Sequence, residues 1–221
     1  RLNQKISIAI DGPVASGKTA VGRLLAHKIG FQFIDTGLMY RAVTWVAISK
    51  NLDIREVESL TTLCESLNMK FLTDGKSETL LVNGEDVTSR LRDPVVESKV
   101  SFVARLQNVR KILVKHQQDM AKGISLVMVG RDIGTVVLPT ADFKIYLDAA
   151  VLTRARRRHI EMAADNPELT LQSVVGDISQ RDKIDIQRTE SPLRASADAI
   201  KISTDNLTAG EVVESIIKIV E

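Results

Sequence analysis

Residues Ile6–Gly30 read ISIAIDGPVASGKTAVGRLLAHKIG, and the fold is decided by how this stretch divides. Ile6 to Ile10 is a short β-branched run stopped by Asp11-Gly12-Pro13, which predicts a buried strand. Val21, Leu24, Leu25 and Ile29 then recur at helical spacing, with Gly30 as a natural stop. Between strand and helix, Gly12-Pro13-Val14-Ala15-Ser16-Gly17-Lys18-Thr19 fits G-x-x-x-x-G-K-[ST] at every fixed position. Glycines let backbone N–H groups curl around phosphate oxygens at a helix N-terminus, where unpaired donors and the helix dipole favour anions. Lys18 has the reach for β- and γ-phosphates, and the Thr19 hydroxyl suits Mg2+. A glycine-rich turn without a ligand is the plain alternative, but strand, loop and helix in this order argue against it. The pattern specifies a nucleoside triphosphate and leaves the second substrate open.

Working outward, Phe31–Ile34 predicts a second strand and residues 36–51 a second helix. Strand, helix, strand, helix is the rhythm of a parallel α/β sheet. MKFLTDG and SETLLVNGEDV break that rhythm. They read as strands closed by the turn pairs Asp74-Gly75 and Asn83-Gly84, a small antiparallel unit inserted between helices. Helical pattern resumes from about Pro94 to Lys122 in two pieces, with Pro94 in the first turn and Asp93 as cap. Ile124–Val129 is the most apolar strand candidate and runs into Gly130-Arg131-Asp132. A strand at FKIYLDA, helices at about 153–164 and 171–184 around the loop DNPELT, a strand at AIKIS and a last helix from Thr208 complete the chain. The expectation is a three-layer α/β fold with about five core strands, a β-containing insertion and a basic helical hairpin.

Composition narrows the function classes. The 221 residues suffice for one domain with insertions. The net charge of +2, from 30 basic and 28 acidic residues, gives no electrostatic reason to expect nucleic-acid binding. A single cysteine, Cys64, excludes an intramolecular disulfide and fits a reducing compartment. Its place in TTLCESL predicts a buried structural thiol. No apolar run reaches the roughly 20 residues that span a bilayer. The opening RLNQKISIAI is too short for a signal peptide and lacks a cleavage site, so the cytoplasm is expected. No coiled-coil heptads are present, and a monomer is expected.

Ligands of an open α/β sheet sit outside the carboxyl ends of its strands. Asp35-Thr36-Gly37, with Tyr40 and Arg41 just beyond, ends the second strand; Thr36 also reads as a helix cap. Gly130-Arg131-Asp132 ends the third. Its arginine can fork onto phosphate and its aspartate can accept from an amino group or ribose; the plain alternative is a surface ion pair. Arg181, Asp185 and Arg188 share a helix face at i, i+4, i+7, where an exposed ladder of little energetic value is the competing reading. Arg154-Ala155-Arg156-Arg157-Arg158 admits three readings: a solvated face, an RNA-binding patch, or arginines on a lid that closes over phosphates.

Together these segments resemble the bacterial cytidylate kinases, members of the nucleoside monophosphate kinases. The resemblance runs nearly end to end, through IAIDGPVASGKTAVGRLLA, FIDTGLMYRAV, VNGEDVTSRLR, GRDIGTVVLPTADFKIYLDA, RARRR and ISQRDKIDIQRTESPLRASADAIKIST. It implies transfer of the γ-phosphoryl of ATP to CMP or dCMP with Mg2+, and a P-loop fold. The core would comprise residues 1–37, 109–153 and 171–221, with a nucleotide-binding region at 38–108 and a lid at 154–170. By the same resemblance the pyrimidine lies near Ser101, Arg110 and Asp132, and the CMP phosphate against Arg41 and Arg131. Thr36, Tyr40, Arg181, Asp185 and Arg188 join the acceptor site, and Arg157 or Arg158 closes from the lid onto ATP. Lys18, Arg131, Asp132, Arg181 and Arg188 are the expected catalytic group. The chain departs from the pattern at Val129, where relatives often carry an acid; Asp35 or Asp132 would have to stand in beside Thr19 at the metal. The competing functions are a P-loop kinase of another small acceptor, such as shikimate, and a nucleotide-dependent RNA-binding protein.

Overall fold

The computed structural model describes residues 5–73, 78–164 and 166–220; the expected turn at Asp74-Gly75 lies outside them. Five parallel strands form the central sheet: β1 (Ser7–Asp11), β2 (Gln32–Asp35), β6 (Leu126–Gly130), β7 (Phe143–Asp148) and β8 (Ile200–Ser203), in the order β2-β6-β1-β7-β8. β1 lies at the centre, with Asp11 opposite Gly130 of β6 and Tyr146 of β7. Every residue of β6 is buried, as a parallel strand covered on both faces must be.

Side-chain alternation sorts the two faces. Ile8, Ile10, Val127 and Val129 pack against Val21 and Leu25 of α1 (Lys18–Ile29) and against Val212, Val213 and Ile216 of α8 (Ala209–Val220). Ala9, Leu126 and Met128 face the other way, toward Ile133 and Val137 of a π-helical turn (Ile133–Val137) and Val114 of α5 (Gln107–Met120). α1 ends as expected: Gly30 takes the left-handed conformation at φ 70° and its N–H closes on Ala26.

A second core lies beside the sheet. α2 (Thr36–Ser49), α3 (Val57–Ser66), α4 (Pro94–Ala104) and α5 bury Met39, Val43, Leu60, Leu63, Val100 and Leu113 against the antiparallel strands β3 (Met69–Thr73), β4 (Glu78–Val82) and β5 (Glu85–Asp86). The β4–β5 turn is Asn83-Gly84, both at positive φ, as the pair predicts. Cys64 is buried here, and burial pushes its thiol up to about 12, consistent with a structural role. Arg23 of α1 grips Glu78 of β4 with two bonds of 2.7 Å and fastens the small sheet to the core.

α6 (Val151–Ala163) and α7 (Leu171–Gln187) form the helical hairpin, packed through Ala155, Val174 and Ile178. Val14 and Ala15 of the phosphate loop rest on this small cluster. The helical stretch from Pro94 breaks at Arg105-Leu106, and a 3-10 turn (Thr88–Arg92) precedes it. Pro94 opens α4 and Asp93 caps it, accepting from Val95 N. α7 outruns its expected end at Ile184 by three residues and stops at Gln187, so Arg188 leaves the helix in an extended conformation.

Candidate active site

β1 carries Asp11 to the carboxyl edge of the sheet, and the chain then turns into α1. Gly12 is required there, because a Cβ would lie 2.2 Å from the Leu147 carbonyl oxygen. Gly17 sits at φ 93° and caps α1 with no side-chain bond, which leaves the first N–H groups of the helix for an anion. Ala15 is also left-handed, at φ 58°, a strain on the order of 1–2 kcal/mol held by the surrounding loop. Lys18 is buried and donates to Pro13 O at 2.8 Å. Burial, then repulsion from Arg131 and Arg181, pushes its pKa well below the usual lysine value. A polyphosphate would supply the counter-charge this ammonium lacks.

Asp35, not Thr36, caps α2: its Oδ1 accepts from Gly37 N at 2.9 Å. Its Oδ2 accepts from the Thr19 hydroxyl at 2.8 Å and so ties the second strand to the phosphate loop. Thr36 stands inside the helix and donates to Val129 O on β6 at 3.0 Å. The third strand is tied to the first in the same manner. The Asp11 carboxylate accepts from Ile133 N at 2.7 Å and Gly134 N at 2.8 Å, holding the turn that carries Arg131 and Asp132.

Asp132 is not half of a surface pair. It is buried and bonded to Arg110 of α5, whose guanidinium also donates to Ala104 O at 2.9 Å and lies 5.2 Å from the Tyr40 ring. Arg188 approaches Asp132 at 4.0 Å. The Tyr40 hydroxyl, Arg110 Nε and Arg188 Nη2 are buried without a hydrogen-bond partner. That is unused donor capacity around one carboxylate, suited to a small polar ligand. Ser101 is half-buried on α4.

The expected ladder on α7 points inward. Asp185 accepts from Arg131 Nε and has Arg188 Nη1 at 3.6 Å. Burial opposes its charge, but Arg131, Arg188 and Arg181 outweigh that and hold its pKa below the ordinary value. Arg181 is pushed down to about 10 by burial, then by Arg131 and Arg41. Glu97 of α4 gathers Arg41 at 2.7 Å, Arg181 at 3.4 Å and Arg158 at 3.5 Å.

The basic run of α6 divides among different tasks. Arg154 is buried and donates to Ala149 O at 2.9 Å, Val14 O at 3.1 Å and Asp182 at 2.6 Å. It is a brace between hairpin and phosphate loop. Arg157 bonds the Thr204 carbonyl and hydroxyl, and that hydroxyl donates to Ser16 O at 3.1 Å. Arg158 faces Glu97 and Glu161. Arg156 is exposed. The run therefore presents no continuous basic patch.

Val129 is fully buried in the apolar layer beneath α1. A Cβ on Gly22 would come 2.5 Å from its Cγ1 and 2.8 Å from Phe33. Among the described residues no group of three or more His, Cys, Asp or Glu side chains could hold a metal ion by itself. The hydroxyl of Thr19 and the carboxylate of Asp35 are the oxygen donors standing together at the phosphate loop, a pair that suits Mg2+ carrying waters and nucleotide phosphates. Asp132 is engaged by Arg110 instead.

Side-chain contacts link residues of α2, β6, α4, α5, α6 and α7 into a charged network around Glu97, Asp132 and Asp185, and tie β1 and β2 to the phosphate loop and β6 beside it. Asp11, Thr204, Glu97 and the bracing role of Arg154 do not emerge from the sequence reading. Of these Glu97 had a signal, since it lies one helical turn before Ser101 on the same face.

A phosphate loop on the central strand of a five-stranded parallel sheet, with a cluster of arginines close to its lysine, defines a P-loop phosphotransferase. The solved structures it resembles share the fold alone: an uncharacterized protein from Eubacterium ventriosum (TM-score 0.53, 13% identity, 97% of this chain and 98% of that one) and shikimate kinase from Bacteroides thetaiotaomicron (TM-score 0.51, 13% identity, 97% and 98%). This chain belongs to the cytidylate kinase family, whose sequence pattern matches residues 8–221. Cytidylate kinase of Bacillus velezensis is 42% identical over 220 residues, covering 100% of this chain and 98% of that protein; the Bacillus subtilis enzyme is 40% identical with the same coverage.

Proposed function

We propose that the protein transfers the γ-phosphoryl of ATP to CMP or dCMP, giving ADP and CDP or dCDP. The observation that carries this reading is the facing arrangement of an anion-ready phosphate loop and a set of arginines. Arg41, Arg131, Arg181 and Arg188 are each already paired with a carboxylate. Family membership over nearly the whole chain supplies the acceptor.

The roles follow from the donors each residue offers. Gly12 to Thr19 hold the ATP phosphates through backbone N–H groups, and Lys18 exchanges the Pro13 carbonyl for phosphate oxygens. Arg41, Arg131 and Arg181 take the acceptor phosphate, and Arg181 and Arg188 also spread positive charge around the transferring group. Asp132, Arg110 and Ser101 read the pyrimidine edge, with Asp132 accepting from an amino group. Thr36, Tyr40 and Asp185 complete that side. Thr19 and Asp35 would hold Mg2+, which screens charge on the ATP phosphates when bound. No general base is needed, because the attacking oxygen belongs to an ionised phosphate. Residues 38–108 serve as the acceptor region and 154–170 as the lid, with Arg157 and Arg158 closing from it and excluding water. This reading places the protein in the cytoplasm as a monomer; the lone buried thiol suits a reducing compartment.

The deciding experiment is ADP formation from ATP with CMP, dCMP, AMP, GMP and UMP as acceptors. CMP and dCMP should be strongly preferred. Equal rates for all five, or preference for AMP, would sink the assignment.

A further inference from the structure

Glu97 is an anion set among cations that the proposed reaction needs for phosphate. Its Oε1 accepts from Arg41 Nε at 2.8 Å and lies 2.7 Å from Arg41 Nη2. Its Oε2 stands 3.4 Å from Arg181 Nη1 and 3.5 Å from Arg158 Nη2. The three arginines come from α2, α7 and α6, three elements far apart in sequence. A carboxylate gripped by guanidinium groups from several directions occupies the position of a phosphate in an arginine cluster. Burial opposes charge on Glu97, but Arg41, Arg181 and Arg158 together overcome it and hold the carboxyl below its ordinary pKa, so it is ionised at neutral pH. Ser101 lies one turn further along the same face of α4, so Glu97 and the pyrimidine end of the cleft share one wall.

We propose that Glu97 is an internal counter-anion, which the acceptor's phosphate must displace from Arg41, Arg181 and Arg158 in order to bind. The inference rests on reading this cleft as the acceptor-phosphate site. Three guanidinium groups brought together without an anion repel one another, and Glu97 relieves that repulsion in the free protein. It does so at a cost in affinity, because the same cations cannot be fully shared. A phosphate dianion carries more charge and one more free oxygen than a carboxylate, so it wins the exchange. A nucleoside without phosphate has nothing to offer these arginines and leaves Arg158 of α6 tied to α4. The carboxylate thus makes transfer of Arg158 from α4 to the substrate conditional on a phosphorylated acceptor.

Glu97→Gln keeps the shape and removes the charge. Calorimetric titration of wild type and variant with CMP, inorganic phosphate and cytidine tests the idea. CMP and phosphate should bind the variant roughly ten- to hundred-fold more tightly, the scale of one charge-assisted pair, while cytidine stays within about twofold. The free variant should also melt below wild type and gain more from saturating CMP. Unchanged or weaker CMP and phosphate binding would overturn the proposal, as would equal tightening toward cytidine. Should the glutamine variant fail to fold by circular dichroism, Glu97→Thr carries the same measurements. If the wild type bound no CMP, the functional reading would fall by itself, and the phosphate titrations would still decide the role of Glu97.

Discussion

Replacing Arg154 with methionine removes a guanidinium that makes three hydrogen bonds inside the protein. Asp182, Val14 O and Ala149 O lose their donor together. Asp182 suffers most, since it is buried and its other oxygen already lacks a partner. Breaking a buried ion pair by removing one partner costs about 3–5 kcal/mol, because the remaining charge stays out of water. For a chain of this size each kcal/mol moves the melting temperature by about 2–4 °C, so Arg154→Met should melt about 6–20 °C below wild type. The loop that carries Val14 also loses its tether to α6, so the KM for ATP should rise. Urea unfolding of Arg154→Met, Asp182→Asn and the double variant closes a cycle. The double variant should recover part of the loss, since no buried charge is stranded. Arg156→Met, on the same helix but exposed, should shift stability by less than about 0.5 kcal/mol. If Arg154→Met cost no more than Arg156→Met, or if the two single losses simply added, the bracing role would be refuted.

Two further outcomes follow from the same cleft. Burial is the main force lifting the Asp11 carboxyl from 3.8 to about 6, against the bonds from Gly134 and Ile133 that favour its charge. The folded state then holds this proton more tightly than the unfolded chain. Its contribution is full below about pH 4 and is lost as pH rises through 6, a change of about 3 kcal/mol. Carbon-13 titration of the Asp11 carboxyl should show a midpoint near 6, and between pH 4 and 7 wild type should lose stability relative to Asp11→Asn; a midpoint at or below 4 contradicts this. Asp35→Asn should weaken Mn2+ binding in the presence of ADP, read by electron paramagnetic resonance, by roughly 10–100-fold. Asp132→Asn should leave it unaltered, and the reverse pattern would assign the metal to Asp132.

The phosphate loop and the sheet were legible because their signals are local. The run Ile6–Ile10, the glycines at 12 and 17, and the helical spacing after Lys18 need no distant partner to be read. The acceptor side was less so. Asp35 and Thr36 are both good caps standing next to each other, and the choice fell to Val129 O, brought in by β6. Val129 itself left two acids open as metal partners, and the bond from Thr19 to Asp35 favours one of them. Consecutive arginines on a helix point about 100° apart, so the run from Arg154 to Arg158 could not share one task. Which member turned inward depended on Val14 and Asp182, far away in sequence. Glu97 was passed over for a related reason: its place one turn before Ser101 was the only local hint, and the partners that give it a role come from α2, α6 and α7.

The central place of β1 also governs when the protein becomes competent during synthesis. β1 leaves the ribosome well before its hydrogen-bonded neighbours, β6, starting at Leu126, and β7, starting at Phe143. Asp11 likewise waits for Ile133 and Gly134, and Gly12 for Leu147. The nucleotide loop, though made well before β6 and β7, acquires its walls only once the chain has been made as far as Leu147. Until then an apolar strand stands without partners on either edge, a state that slows folding and invites association with other unpaired strands. Nascent chains stalled before Leu126 should therefore be the species that needs chaperone cover, and those extended past β7 the first able to hold a triphosphate.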